Sequence, residues 1–269
     1  MKRLAFLLYG IVAYAAFIGT TLYAVGFVAG VVVPRSVDAG GPVAPLTTAL
    51  GVNVALLTLF GVQHSVMARK GFKQAWTRVV PPAIERSTYV LLSSACLALL
   101  FLLWHPIPRM VWSVGSTAGR VALASLATLG WLVALFSTFL INHFELFGLR
   151  QVFLAARRTE PRPPRFTTPL LYKLVRHPLY LGFILAFWAA PTMTMGHLVF
   201  ALGMLGYILV GIQLEERDLV REFGGRYLVY REQVRALVPI PGAVPGEGEA
   251  PLQTASGAVS YRAPGSRTG

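Results

Sequence analysis

Four clusters of polar residues interrupt an otherwise apolar chain, and their types suggest chemistry. Gln63-His64-Ser65 and Asn142-His143-Phe144-Glu145 each place a histidine at the edge of an apolar run. Histidine exchanges a proton near neutral pH, and an asparagine beside it can orient the ring. The third cluster, Arg176-His177-Pro178-Leu179-Tyr180-Leu181-Gly182, sets two basic side chains before a proline that opens an apolar segment. Proline at the first helical position makes His177 the cap. The free N–H groups of that helix end, with Arg176, would then suit an anion such as a carboxylate. A fourth group follows at Glu215-Glu216-Arg217-Asp218, ahead of Gly224-Gly225-Arg226-Tyr227-Leu228-Val229-Tyr230-Arg231. Adjacent carboxylates there could receive hydroxyl or ammonium groups. Each cluster also has a plainer reading. The two histidine groups would serve as interfacial residues facing headgroups, Arg176-His177 as a basic anchor, and Arg217/Arg221 with Asp218/Glu222 as pairs on an interfacial helix. His105 and His197, near loops, are read as incidental.

The elements that must position these residues follow from composition. Of 269 residues, 55% are hydrophobic and 13% charged, which excludes an ordinary water-soluble globule. A bilayer core of about 30 Å needs roughly 20 helical residues, and apolar stretches of that order recur at 4–33, 43–67, 87–104, 121–142 and 179–214. The first is far longer than the roughly 7–15 apolar residues of a signal peptide, and is read as a retained span. The last is interrupted at Pro191-Thr192-Met193-Thr194-Met195-Gly196. That break favours a helical hairpin over one long kinked helix, because a hairpin returns the 144–178 and 215–235 segments to one face.

With the N-terminus inside, all of the 24 Lys and Arg residues except Arg35, Arg109 and Arg120 fall in inside segments. Basic residues of short loops stay cytoplasmic, so both termini are expected there, and the net charge of +13 reflects topology rather than a nucleic-acid surface. A single cysteine, Cys96, excludes a disulfide framework or a cysteine-based metal cluster. No Gly-rich phosphate loop, zinc spacing or serine nucleophile elbow is present. Residues 241–269, beginning Pro-Gly-Ala-Val-Pro-Gly-Glu-Gly-Glu, cannot bury a core and read as a disordered tail. The expected fold is an all-α polytopic transmembrane bundle of five spans, the last a helical hairpin or broken helix, with a short cytoplasmic C-terminal helix. It forms a single domain over 1–240 with a cofactor half at about 144–235.

The pairing of Arg176-His177-Pro178-Leu179-Tyr180 with Glu215-Glu216-Arg217 and Gly225-Arg226-Tyr227-Leu228-Val229-Tyr230 resembles the C-terminal half of the isoprenylcysteine carboxyl methyltransferase superfamily. Upstream, His64-Ser65-Val66-Met67-Ala68-Arg69, Glu85-Arg86-Ser87-Thr88-Tyr89, Asn142-His143-Phe144-Glu145-Leu146-Phe147-Gly148-Leu149-Arg150-Gln151 and Pro191-Thr192-Met193-Thr194 are similar to the nurim-like family, in its bacterial thiol-methylating branch. The resemblance covers roughly 1–240. It implies methyl transfer from S-adenosylmethionine to methanethiol, giving dimethyl sulfide and S-adenosylhomocysteine, in a bacterial inner membrane and with no obligate protein partner. It also implies that Arg176, His177, Pro178, Tyr180 and Gly182 line the cofactor pocket from one side of the hairpin, and Glu215, Glu216, Arg217, Tyr227 and Tyr230 from the other.

Such a transfer needs a thiolate, since an alkyl thiol is mostly protonated at neutral pH. Of the two span-end histidines, His143 is read as the first choice for base or orienting residue and His64 as the second, with Asn142 able to orient either. Three alternatives remain: another small thiol or an isoprenyl or lipid acceptor, a nicotinamide-dependent membrane reductase, and a non-enzymatic envelope protein. The complete Arg-His-Pro, carboxylate and tyrosine set argues against the last.

Overall fold

A computed structural model of the chain describes residues 2–159 and 166–239. In order, its elements are α1 (Lys2–Ala29), α2 (Leu46–Ala68), α3 (Lys70–Trp76), α4 (Pro82–Leu103), β1 (Met110–Ser113), α5 (Thr117–Ile141), α6 (His143–Leu146), α7 (Leu149–Arg157), α8 (Pro178–Trp188), β2 (Thr192–Thr194), α9 (Met195–Phe223) and α10 (Gly225–Gln233). A 3-10 turn at Leu170–Lys173 precedes α8. The expected tail lies outside the described residues.

Five helices, α1, α2, α4, α5 and α9, are long and apolar enough to cross a bilayer. Leu8, Leu22, Val54, Leu132, Phe139 and Leu202 point outward and exposed. A helix that is apolar all round belongs in a low-dielectric solvent, where its backbone groups are satisfied internally. The expected all-α polytopic bundle is therefore what the chain forms. Helix starts follow their residues: Pro82 and Pro178 open α4 and α8, while Ser116 and Thr194 accept backbone N–H bonds from Gly119 and His197 at the heads of α5 and α9.

The last apolar stretch is a hairpin. His177, before α8, lies 3.1 Å from Glu216 near the end of α9, whereas Phe187 at the far end of α8 packs on Phe200 near the start of α9. The 11 residues of α8 cover only about 16 Å at 1.5 Å each. The chain then reverses through Ala189–Thr194, and β2 pairs antiparallel with β1, bringing Ser113 opposite Thr192. Val114 N donates to Pro191 O at 2.9 Å, and the Trp112 indole donates to Ala190 O at 3.1 Å. This small ladder is absent from the sequence reading. Met-Val-Trp-Ser is too short to show strand alternation, and its partner sits some 80 residues away.

Two packing features set the position of α8. Gly130 of α5 and Gly182 of α8 cross with their backbones nearly touching, so that a Cβ on either would come within 2.6 Å of the other's carbonyl oxygen. Close crossings of this kind are how membrane helices gain dispersion contacts without a hydrophobic driving force. Toward the β1–β2 end, Phe27, Phe101, Trp104, Phe187 and Phe200 form the aromatic core. At the opposite end, Arg69 donates to Asp218 at 2.7 Å and Lys70 to Glu222 at 2.5 Å, which clasps the α2–α3 corner to the last turns of α9. Both pairs are partly exposed, worth up to about 1 kcal/mol each.

Candidate active site

The end of the bundle that carries α3, α6, α7 and α10 gathers the polar residues. At the head of α8, the Arg176 guanidinium donates to Glu216 Oε1 at 2.8 Å through Nε, and to the carbonyls of Arg231 and Val234. A basic group on the last carbonyls of α10 answers both their unpaired lone pairs and the negative end of that helix. The backbone continues the seam, with Arg176 N bonded to Arg235 O and His177 N to Ala236 O. His177 is buried, its Nε2 donating to Glu216 Oε1 at 3.1 Å, with Nδ1 3.8 Å from Glu215 Oε2.

The two carboxylates thus differ. Glu216 is sequestered, its side chain 14% exposed and held by Arg176 and His177, while Glu215 is 44% exposed and lies 3.8 Å from His177 Nδ1. Tyr180 lies beside Glu215. The Tyr180 hydroxyl also reaches Gly211 of α9, where a Cβ would meet it in ordinary contact at 3.5 Å. The Tyr227 side chain is fully buried and its hydroxyl has no hydrogen-bond partner among the described residues. Burial raises the Tyr227 hydroxyl above its ordinary value, and likewise brings Tyr230 to about 12, so both stay neutral donors. Tyr230 spends its proton on Tyr172 O at 2.5 Å, fixing α10 to the 3-10 turn. Arg217 is exposed and forms no ion pair among the described residues. Gly182 and Pro178 face packing surfaces, the one on α5 and the other buried at the start of α8.

The second histidine cluster adjoins this junction. His64 sits among the rings of Phe60, Tyr89 and Tyr207, with centroids at 5.3, 4.9 and 5.9 Å. Its Nδ1 lies 3.1 Å from Ser93 Oγ, and no bond to Nε2 is formed among the described residues. Tyr207 packs on the His64 ring and shares α9 with Glu215, so one helix carries residues of both clusters. An open groove of about 660 Å³ between α2 and α9 leads to the same tyrosine, lined by Val54, Gly61, Val62, Gly203 and Gly206 among others. The sequence gives Tyr89 only within a segment of resemblance and no sign of Ser93 or Tyr207. A tyrosine in an apolar run carries no signal of its own, and only helix packing brings these three to His64.

His143 is built differently. It is 3% exposed, stacked on Phe139 at 4.1 Å and 3°, and both ring nitrogens are taken: Nδ1 by Thr138 Oγ1 and Nε2 by the Tyr14 hydroxyl, each at 2.7 Å. Burial lowers its proton affinity below the usual histidine value. Asn142 caps α6, accepting from Glu145 N at 3.3 Å and donating to Glu145 Oε2 at 2.6 Å, a carboxylate that also holds Arg150 at 2.6 Å. Neither contacts the His64 ring.

Fold and site together define a polytopic helical membrane protein with a carboxylate, guanidinium and imidazole cleft at one end of its last hairpin. Comparison with known proteins narrows the class. The chain is 55% identical over 241 residues to the methanethiol S-methyltransferase of Mycobacterium tuberculosis, covering 90% of this chain and 98% of that one. It is 57% identical over 237 residues to methanethiol S-methyltransferase 2 of Bradyrhizobium diazoefficiens, covering 88% and 91%. Nurim of Xenopus laevis is 30% identical over 203 residues, 70% of each chain. No family model and no solved structure matches. The chain belongs to the methanethiol S-methyltransferase family, with nurim as a more distant relative.

Proposed function

We propose that the protein transfers a methyl group from S-adenosylmethionine to methanethiol, releasing dimethyl sulfide and S-adenosylhomocysteine. Support comes from the names of relatives that match nearly the whole chain, and the observation that carries the reading is α9, which sets Tyr207 against an imidazole with an unused nitrogen and, further along, holds the two carboxylates of the His177 cleft. The donor set fits the cofactor's polar groups. Glu215 has carboxylate lone pairs open to an ammonium or ribose hydroxyl, the N-terminal amides of α8 suit a carboxylate, and the buried Tyr227 hydroxyl lacks a partner. Glu216, already engaged by Arg176 and His177, organises the cleft, and Glu215 makes the ligand contact.

When bound, S-adenosylmethionine supplies a methyl group on a positively charged sulfur. The chain's own task is to align an acceptor and to take its proton. We assign that proton to Nε2 of His64, ahead of His143, because the Nε2 of His143 is occupied by Tyr14. The thiolate formed is a far better nucleophile than the thiol, and the aromatic walls around His64 keep the charge poorly solvated. Methanethiol is apolar, so the lipid-facing groove that ends at Tyr207 is its route in. The excess of basic residues at this end supports the reading that it faces the cytoplasm, with both termini, in a bacterial inner membrane.

The reading is tested by expressing the chain in a host without this activity, feeding methanethiol and measuring volatile sulfides in the headspace. Dimethyl sulfide is expected from the intact chain and from Arg217→Ala, and far less of it from Glu215→Gln or His64→Ala. Its absence from folded, membrane-inserted wild type would overturn the assignment of acceptor.

A further inference from the structure

A neutral imidazole has one N–H and one lone pair, so His64 can accept a proton at Nε2 only if its hydrogen sits on Nδ1. Which nitrogen carries it is decided by what the other bonds to. Ser93 Oγ donates its single hydrogen to Tyr89 O at 2.9 Å, one helical turn back in α4. It therefore has only lone pairs to offer His64 Nδ1, 3.1 Å away. Ser93 is 7% exposed and Tyr89 6%, so water cannot readily replace either partner. Backbone carbonyl, hydroxyl and imidazole thus form a one-directional chain whose end fixes the proton on Nδ1.

We infer that Ser93 is a positioning residue: it holds His64 in the Nδ1–H tautomer and leaves the Nε2 lone pair toward the Tyr89–Tyr207 walls for the acceptor's proton. The inference deepens the proposed methyl transfer and rests on it for the role of His64. His143 shows the same device, Thr138 Oγ1 donating to Leu135 O at 2.6 Å while facing Nδ1, but there Tyr14 closes the free nitrogen. The step balances simply. The S–H bond of the thiol breaks with its electrons left on sulfur, the proton joins Nε2, and the Nδ1 hydrogen stays on Nδ1, donated to Ser93 Oγ. The thiolate then forms the new C–S bond, the electron pair of the broken sulfonium C–S bond remains on the departing thioether, and the imidazolium later returns its proton to water.

The test uses the full-length chain in lipid nanodiscs with 15N-labelled histidine. Of the five histidines, His64 is assigned by comparison with His64→Gln. Wild type is expected to show the Nδ1–H tautomer at His64. Ser93→Ala, which removes the acceptor, is expected to shift it to Nε2–H and to lower kcat about ten-fold, part of the roughly 10²–10⁴ that a positioned base supplies. Affinity for S-adenosylmethionine, measured by calorimetry, stays unchanged, and Ser93→Thr restores both tautomer and rate. An Nε2–H wild type, or a Ser93→Ala protein that keeps the Nδ1–H form or its full kcat, overturns the proposal. Full turnover in His64→Gln instead sinks the base assignment itself, while the tautomer measurement reports on Ser93 independently.

Discussion

His64 and His143 are the same residue type at comparable ends of two spans, and their hydrogen bonds separate them. With one nitrogen unused, His64 is expected to lose roughly 100-fold in kcat on substitution by alanine, with cofactor affinity intact by calorimetry; an equal loss of affinity would place it in the binding site instead. His143 holds α1 to α5 through Tyr14 and Thr138. His143→Ala should cost about 1–3 kcal/mol, because the buried Thr138 hydroxyl and the half-buried Tyr14 hydroxyl lose their bond, yet preserve turnover per folded molecule. Its lowered proton affinity gives a sign for pH dependence. Below the unfolded value of about 6.5 the unfolded chain binds a proton that the folded chain resists, so stability is present above that pH and is lost as pH falls. A melting series from pH 7.5 to pH 5 should show that loss, and His143→Phe should reduce it. Sequence pointed to both histidines by type and position. It could not rank them, since Tyr14 lies 129 residues from His143 and Ser93 lies 29 residues from His64.

At the scale of elements, the hairpin of α8 and α9 positions the cleft, and the Gly130–Gly182 crossing positions the hairpin. Gly182→Val must push α5 and α8 apart, and is expected to destabilise by about 1–3 kcal/mol or more, read as a lower melting temperature in detergent with cofactor binding reduced in parallel. Gly206→Leu probes a different function. A Cβ there meets nothing within 4 Å and its side chain would enter the groove between α2 and α9. An increased KM for methanethiol with unchanged affinity for S-adenosylmethionine is expected; unaltered kinetics would exclude the groove as the acceptor's route. Span lengths, the break at 191–196 and the short α10 were legible from apolar runs and glycine–proline punctuation. The β1–β2 ladder and the α5–α8 crossing were not, because pairing over long sequence distance leaves no local pattern.

Across the whole molecule the chain divides its work between two ends. One end is an aromatic and β-paired plug, where Trp104 donates to Val37 O and Phe27 packs on Phe101. The other carries the Arg and Lys ion pairs, the C-terminal helix and the proposed cleft, and it is the end at which basic residues accumulate. That sidedness was readable from charge alone, whereas the division of labour between Glu215 and Glu216 needed their partners in space. The most direct measurement of the central claim uses purified protein with S-adenosylmethionine bearing a deuterated methyl group, methanethiol, and mass detection of the volatile product. The account predicts dimethyl sulfide with a single deuterated methyl, formed one for one with S-adenosylhomocysteine, and far less of it in His64→Ala and Glu215→Gln. Unlabelled product, or labelled product undiminished in both variants, would contradict it.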